Sequence, residues 1–444
     1  MNKYKNLVAV VGAGPAGLFA ARKLAEAGVL VALFNRDIQP GGLAEYGIYP
    51  AKLKMKEGLR KQFKQILSHP QIQYFGNVKV CCGGSILLSD LLTSGFQAVV
   101  IATGAQGTKH LRLPGENLPG VYHAKDMVYH YNMLPPFSQR KFTIGKRVAI
   151  VGAGNVMMDI ARYLIREKKV AEVIAVVRRG PAEVKFTKKE MEAVGRNLDL
   201  ASLDREFTRV ASIMQAAGQD VDEARNQFTG VLPRSQEPVS ATRLRFEFLA
   251  SPVRIVGEWV GGVSALKVED NTLVAVDGTT KAKGLITTRH IAADTVIFAI
   301  GDKVDTDFCL PNFNDAYAVV PEPRFPVDGK SYEAFDPDLG RPLEQVFLAG
   351  WARQASTGLV GVARKDGENA ANAVLEFLQT QEQMLDADDV LARVIHILGE
   401  IHKRIVTKEH LVLLEQAAQE EARKRGLEEY KYALNEEMLT TMGF

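Results

Sequence analysis

The sequence predicts an α/β fold with two Rossmann-like dinucleotide-binding domains, and three observations carry that prediction. Two glycine-rich turns, Val10-Val11-Gly12-Ala13-Gly14-Pro15-Ala16-Gly17 and Ile150-Val151-Gly152-Ala153-Gly154-Asn155-Val156-Met157, stand about 140 residues apart. Each follows a short apolar run and opens a segment of helical periodicity. Only the second is followed, one apolar run later, by an arginine pair, Arg178-Arg179.

The first domain opens on the apolar run Leu7 to Val11. Ala16 to Ala27 then repeats Leu18, Ala21, Leu24 and Ala25 at helical spacing, and Val29 to Phe34 reads as a second buried strand. This is a βαβ unit in which Gly12, Gly14, Pro15, Ala16 and Gly17 bring the backbone close to a pyrophosphate, while the helix N-terminus offers unpaired N–H donors and positive potential. Asn35 stands where an acidic residue is expected to bind the adenosine ribose; asparagine can still hydrogen-bond a hydroxyl. Arg36 follows it, and such a pair could instead meet a 2′-phosphate. The segment Pro40 to Ile48, with Gly42, Leu43 and Tyr46, argues for a large flat ring beside the chain. Phe96 to Ala105 reads as a buried strand ending in Ala102-Thr103-Gly104, and these three with Val80 complete the candidate contacts of the first domain.

The second domain repeats the pattern with a strand at Arg147 to Val151, a helix from Val156 to Ile165 and a strand at Val173 to Val177. Guanidinium groups at Arg178 and Arg179 can bind a 2′-phosphate with charge-assisted hydrogen bonds, which favours NADP over NAD. Met157 occupies the third glycine position and predicts a displaced helix. Asp199 to Pro238 is polar and helix-like. Strand character resumes at Leu244 to Phe248 and Val253 to Val256, and Asp294 to Gly301 reads as a last buried strand returning to the first domain. Near the end, Val346 to Trp351 and then Thr357-Gly358-Leu359-Val360-Gly361 place a strand, a turn and a helix N-terminus in sequence, a ready anion site. From Asp386 onward Val390, Val394, Leu398, Ile401 and Ile405 recur at helical spacing, Thr407 is a cap, and another helical run starts at Leu411. A helical hairpin packed on the body is the expectation for this tail, with an oligomer or partner contact as the alternative.

Composition bounds the rest. A chain of 444 residues with 46% hydrophobic content can bury two or more cores. A net charge of +3 is too balanced to suggest nucleic acid or an anionic membrane surface. Cys81, Cys82 and Cys309 form no CxxC, no iron–sulfur ligand set and no disulfide framework, so no metal is expected and the chain reads as cytoplasmic. Neither a signal peptide nor a membrane span is read. The domain boundaries expected are 1–108 for the first part of one domain, 109–299 for an inserted second domain, 300–382 for the return to the first, and 383–444 for the helical extension.

These segments, in this order, resemble the adrenodoxin-reductase-like ferredoxin–NADP reductases, flavoproteins whose FAD domain is split around an inserted NADP domain. The resemblance spans roughly residues 5 to 380 and rests on more than glycine turns. It includes Gly120 to Asp126 with Tyr131-Asn132-Met133-Leu134-Pro135, Gly154 to Arg162, Arg178-Arg179-Gly180-Pro181, Phe186-Thr187 with Lys189-Glu190, Phe248 to Val253, and Gly350-Trp351 with Thr357-Gly358. The small subunit of glutamate synthase is related and shares the flavin loop.

The resemblance implies that the first turn, Asn35, Leu43, Gly350, Trp351 and Gly358-Leu359-Val360 contact FAD. It also implies that Gly152, Gly154, Asn155, Val156, Arg178, Arg179, Glu190 and Gly358 contact NADP. It departs from the family at Asn35, normally Glu, at Met157, normally Ala, and at Ser356, normally Pro. The implied activity is hydride transfer between NADPH and FAD, with single electrons exchanged with ferredoxin or a similar redox protein. Close stacking of the two rings serves it better than any catalytic side chain. Trp351, Thr357, Gly358 and Asp159 are the residues expected nearest the chemistry, and Lys185, Lys188, Lys189 and Arg196 are a candidate basic rim for the partner. An electron-input subunit of a larger complex, or a non-catalytic nucleotide-binding scaffold, are the alternatives.

Overall fold

Continuous apolar runs bounded by glycine turns become strands buried on both faces, as parallel sheets covered by helices require. The structure, a computed structural model, describes residues 4–276, 279–308, 310–356, 358–384, 386–401 and 404–444. In chain order the first elements are β1 (Leu7–Val11), α1 (Pro15–Glu26), β2 (Leu30–Asn35), α2 (Leu53–Leu67), β3 (Ile72–Gly76) and β4 (Ala98–Ile101). There follow β5 (Val121–His123), β6 (Arg147–Val151), α3 (Asn155–Tyr163), β7 (Glu172–Val176), α4 (Leu200–Ala216), α5 (Val221–Thr229) and β8 (Arg243–Glu247). Next come β9 (Ala250–Glu258), β10 (Gly262–Val276), β11 (Thr279–Ala292) and β12 (Thr295–Phe298). The chain ends with β13 (Glu333–Asp336), β14 (Arg341–Leu348), α6 (Val360–Gln379), α7 (Ala387–Ile401), α8 (Lys408–Arg425) and α9 (Asn435–Thr441).

These elements divide into two units, one of Met1–Thr108, Tyr129–Gln139 and Asp302–Phe444, the other of Lys109–Val128 and Arg140–Gly301. The first holds a six-stranded sheet in the order β13-β14-β4-β1-β2-β3, parallel except for the β13–β14 pair. Alternate residues of β1 serve opposite cores. Val8 and Val10 pack with α1, α2 and α6, whereas Leu7, Ala9 and Val11 pack with Val390, Leu391, Val394 and Leu398 of α7. The helical tail therefore closes over this unit, since Leu414, Met438, Leu439 and Met442 also join the α1 side. Thr407 caps α8 as expected, its backbone N–H donating to His410 Nδ1 at 3.1 Å.

The second unit holds a five-stranded parallel sheet, β5-β12-β6-β7-β8, and a three-stranded antiparallel sheet, β9-β10-β11. The strand at Thr295–Phe298 belongs to this sheet, between β5 and β6, and the chain rejoins the first unit only at Asp302. The long β10–β11 hairpin was not foreseen, because β11 is exposed along almost its whole length and so carries no apolar signature. Cys81 is a buried free thiol, but Cys82 is disulfide-bonded, against the expectation of unbridged cysteines; spacing alone does not report a bridge. Cys309 lies outside the described residues. Among the described residues no helix is long and apolar enough to cross a membrane.

Helices α1 and α6 touch at backbone distance. A Cβ on Gly367 would lie 2.1 Å from the Ala16 carbonyl oxygen, whereas one on Gly361, earlier in the same helix, would meet nothing within 4 Å. Gly367→Ala is therefore expected to lower stability by about 1–3 kcal/mol through overpacking. Gly361→Ala is expected to be neutral or to stabilise by up to about 1 kcal/mol. Urea unfolding of the two variants, side by side, measures the difference.

Candidate functional site

The first glycine turn is built by crowding on one side and space on the other. Gly12 adopts φ +105°, and a Cβ there would lie 2.5 Å from the Ala102 carbonyl oxygen. Gly17 is tighter still, since its Cβ would lie 1.8 Å from the Gly12 oxygen. Gly14 faces the other way, with nothing within 4 Å of a Cβ, and it begins α1 with no side-chain cap on the helix. No side chain caps the first turn of α1, which leaves its helix-end N–H groups available to a pyrophosphate. Above it, the Gly41 N–H donates to the Ala13 oxygen at 2.7 Å, and Gly42, at φ +50°, lies against Gly14.

Asn35 is buried at the end of β2, and its amide is largely committed. Its Oδ1 accepts the Ala13 N–H at 3.0 Å, and its Nδ2 donates to the oxygens of Asp37 and Gln39 at 2.7 and 3.1 Å, with the Tyr74 hydroxyl at 3.3 Å. One lone pair of Oδ1 remains to accept from a hydroxyl. Arg36 is ion-paired with its neighbour Asp37 at 3.1 Å. Tyr46 is buried beside the glycine loop, its hydroxyl donating to Gln39 Oε1 at 3.2 Å; Leu43 is half-buried and Val80 and Ala102 are buried.

The second approach to this unit's ligand side is the turn at Gly350. Its N–H donates to Asp366 Oδ2 at 2.6 Å, and its φ of +66° places it against the Ala16 Cβ. Asp366 is buried on α6, where it also accepts from Arg353 Nε at 3.1 Å, and the Arg353 guanidinium lies 4.5 Å from the Tyr332 ring centroid. No sequence signal marked Asp366, Arg353 or Tyr332 as the frame of this turn. Trp351 is half-buried at the start of a short helix, Gly358 is exposed at φ +79°, and the exposed Leu359 begins α6 without a side-chain cap. Thr357 lies outside the described residues.

The second unit repeats the first turn's logic. A Cβ on Gly152 would lie 2.4 Å from the Ala299 oxygen, and Gly154, which begins α3 without a side-chain cap, has nothing within 4 Å of it. Met157 is fully buried where Gly17 stands in the first turn. The loop beyond β7 is tied down by two backbone donors, Lys185 N–H to the Ala153 oxygen at 2.8 Å and Thr187 N–H to Asn155 Oδ1 at 3.0 Å. This brings Glu190, in the helix Lys188–Glu192, onto the segment held by the turn. Arg178 and Arg179 follow β7 directly, and neither guanidinium has an ion-pair or hydrogen-bond partner among the described residues. Arg147, Arg243, Arg245 and Arg289 of the same unit are all paired with carboxylates. Asp159 is buried within α3, in the second unit, while Trp351 and Gly358 belong to the first.

A charged cluster that the sequence did not disclose clasps the glycine loop of the first unit. Glu45 is buried between Lys431 of the tail, at 2.5 Å, and Arg60 of α2, at 2.5 Å. Burial pushes its carboxyl up, but the hydrogen bonds from Arg60 and the charge of Lys431 override this and hold it at about 2. Lys56, also buried, donates to Asn132 Oδ1 at 2.6 Å, and burial with the repulsion of Lys431 brings it down to about 7.

The chain is similar to known proteins in sequence and in fold. The family model described as pyridine nucleotide-disulphide oxidoreductase matches residues 6–199. The chain is similar to the NADPH-ferredoxin reductase FprA of Mycobacterium leprae, with 30% identity over 441 residues and 91% of each chain covered. It is also similar to the mitochondrial NADPH:adrenodoxin oxidoreductase of Arabidopsis thaliana, with 27% identity over 84% of this chain and 82% of the relative. The solved structure of Mycobacterium tuberculosis FprA in complex with NADPH superposes with a TM-score of 0.81 at 25% identity, covering 99% of both chains.

The Glu45 cluster carries a pH signature. Because the folded carboxyl titrates at about 2, below the 4.5 of an unperturbed glutamate, its contribution is complete above pH 4.5 and is lost as pH falls through 2. The amount is about 3 kcal/mol. Urea unfolding between these pH values is expected to show a shallower loss of stability in Glu45→Gln than in the unaltered chain, and equal slopes would contradict the assignment.

Proposed function

The chain belongs to the adrenodoxin-reductase-like ferredoxin–NADP reductase family, and on that premise we propose that its two glycine turns divide the cofactors, FAD on the first and NADPH on the second. It is an NADPH-dependent flavoprotein oxidoreductase that uses FAD and NADP, and its electron partner is of the ferredoxin or adrenodoxin type. The expected boundaries, with the NADP domain at 109–299 inserted between FAD segments at 1–108 and 300–382, are part of the same proposal. The observation that carries the assignment is the Arg178–Arg179 pair at the end of β7, whose guanidinium groups have no partner among the described residues, beside an uncapped helix N-terminus.

The residues fit both groups. In the first unit the space in front of Gly14, which a Cβ would fill, and the uncapped N-terminus of α1 suit the FAD pyrophosphate, and the free lone pair of Asn35 accepts from a ribose hydroxyl. The loop at Gly42, Leu43 and Tyr46, with Val80 and Ala102 to Gly104, packs beside the isoalloxazine ring. The uncapped N-terminus of α6, with Gly358, Leu359 and Val360, would offer N–H groups that favour negative charge on the reduced ring. In the second unit, Gly152, Gly154, Asn155 and Val156 hold the NADP pyrophosphate, Arg178 and Arg179 pair with the 2′-phosphate, and Glu190 lies along the same groove.

The flavin supplies the exchange between a two-electron hydride donor and one-electron carriers. What the protein would add is position and dryness: the turns at Gly350 and Gly358, with the half-buried Trp351, would border the ring and limit water there. Lys185 is exposed on the loop held by the second turn and Lys188 and Lys189 on the short helix that follows, and with Arg196 they would form a basic rim suited to an acidic iron–sulfur protein.

Anaerobic addition of NADPH is expected to bleach the bound flavin's visible absorbance faster than NADH does. A colourless protein, or a flavin that neither nucleotide reduces, would overturn the proposal. Replacing Arg178 and Arg179 together with alanine is expected to raise the NADPH KM about 10- to 100-fold, the scale of lost charge-assisted hydrogen bonds. The NADH value should change little, and equal effects in steady-state kinetics would remove the 2′-phosphate role.

A further inference from the structure

Away from both glycine turns, three side chains of the second unit converge. His110, Glu116 and His123 each offer one ligand atom, and these atoms lie within 4.8 Å of one another. Their backbone is held firmly. His123 is the last residue of β5, whose register with β12 sets it opposite Phe298, and its half-buried ring lies 5.7 Å from the Phe298 ring. Glu116 sits on a turn pinned to β9, since the Pro114 oxygen accepts the Ile255 N–H at 2.9 Å and a Cβ on Gly115, at φ +87°, would lie 2.2 Å from the Ile255 oxygen. One Glu116 oxygen accepts the Leu113 N–H at 2.9 Å, which fixes the carboxylate's orientation, and the other lies 3.1 Å from His110 Nδ1. The His110 and His123 rings meet edge to face at 4.7 Å, with His110 half exposed.

We propose that His110, Glu116 and His123 form a binding site for a divalent cation of the zinc class, which would tie the 109–120 loop to the edge strand β5. Two imidazoles and one carboxylate are the donor set that zinc takes when it keeps a further position for water. Zinc–nitrogen and zinc–oxygen bonds of about 2.0–2.2 Å set tetrahedral ligand–ligand separations of about 3.3–3.6 Å. The His110–Glu116 pair, now hydrogen-bonded at 3.1 Å, needs only to part slightly, and the half-exposed His110 ring can turn to bring the three ligand atoms together. The Leu113 N–H that donates to Glu116 is the kind of support that ligating carboxylates have. The sequence predicted no metal here because His110, Glu116 and His123 follow no short motif and lie on a loop, a turn and a strand end.

The test is zinc titration of the full-length, flavin-loaded protein after treatment with chelator, read by calorimetry and by thermal unfolding. One zinc per chain is expected to bind and to raise the unfolding midpoint. His110→Ala, which removes a half-exposed ring outside the core, and Glu116→Gln are each expected to weaken that binding by about 10-fold or more, the scale seen when even second-shell support is removed. The midpoint shift should disappear with it. Absence of saturable zinc uptake by the unaltered chain, or an unchanged isotherm in His110→Ala, overturns the proposal. These readouts do not involve flavin reduction, so they stand or fall separately from the assignment of the cofactors.

Discussion

One constraint recurs at the carboxyl end of each parallel sheet: a glycine pressed against the carbonyl oxygen that follows the neighbouring strand. Gly12 meets Ala102 and Gly152 meets Ala299, in both cases with less than 2.6 Å left for a Cβ. Without that approach the chain could not leave the strand, turn, and enter a helix whose first N–H groups no side chain caps. The open cradles at Gly14 and Gly154 follow from it. The Gly42 loop and the anchored 185–187 segment are in turn hung on the two turns.

Much of this was legible in the sequence because the signals are local. The runs Leu7 to Val11 and Arg147 to Val151, the glycine spacing and the arginine pair are all properties of a few consecutive residues, and the strands and helices fall where they place them. The tail helices were legible for the same reason. Less was readable wherever a residue's meaning depends on a distant partner. Asn35 looked like a ligand contact, yet most of its amide is spent on the backbone of Ala13, Asp37 and Gln39. Glu45 and Lys431 are 386 positions apart, and no periodicity announces that they meet.

The β10–β11 hairpin was missed for a different reason. Its outer strand keeps itself in register by backbone pairing and faces solvent, so burial leaves no pattern on it. The strand at Thr295–Phe298 was recognised within the expected 109–299 domain, but as a run leading back to the first domain, because an apolar run states that a strand is buried without stating beside which neighbours.

The two glycine turns look like copies, yet the structure makes them non-exchangeable. At position 17 there is no room: a side chain would enter the space of the Gly12 carbonyl 1.8 Å away. At position 157 there is a filled space, because the fully buried Met157 side chain occupies what glycine would leave empty, and the first helical bond there, Met158 to Gly154, is 3.4 Å long against 2.9 Å for Leu18 to Gly14. Swapping the two motifs would therefore fail in opposite senses, by collision in one unit and by cavity in the other. Each turn has become a private fit to its own sheet, whatever duplication the sequence pattern suggests.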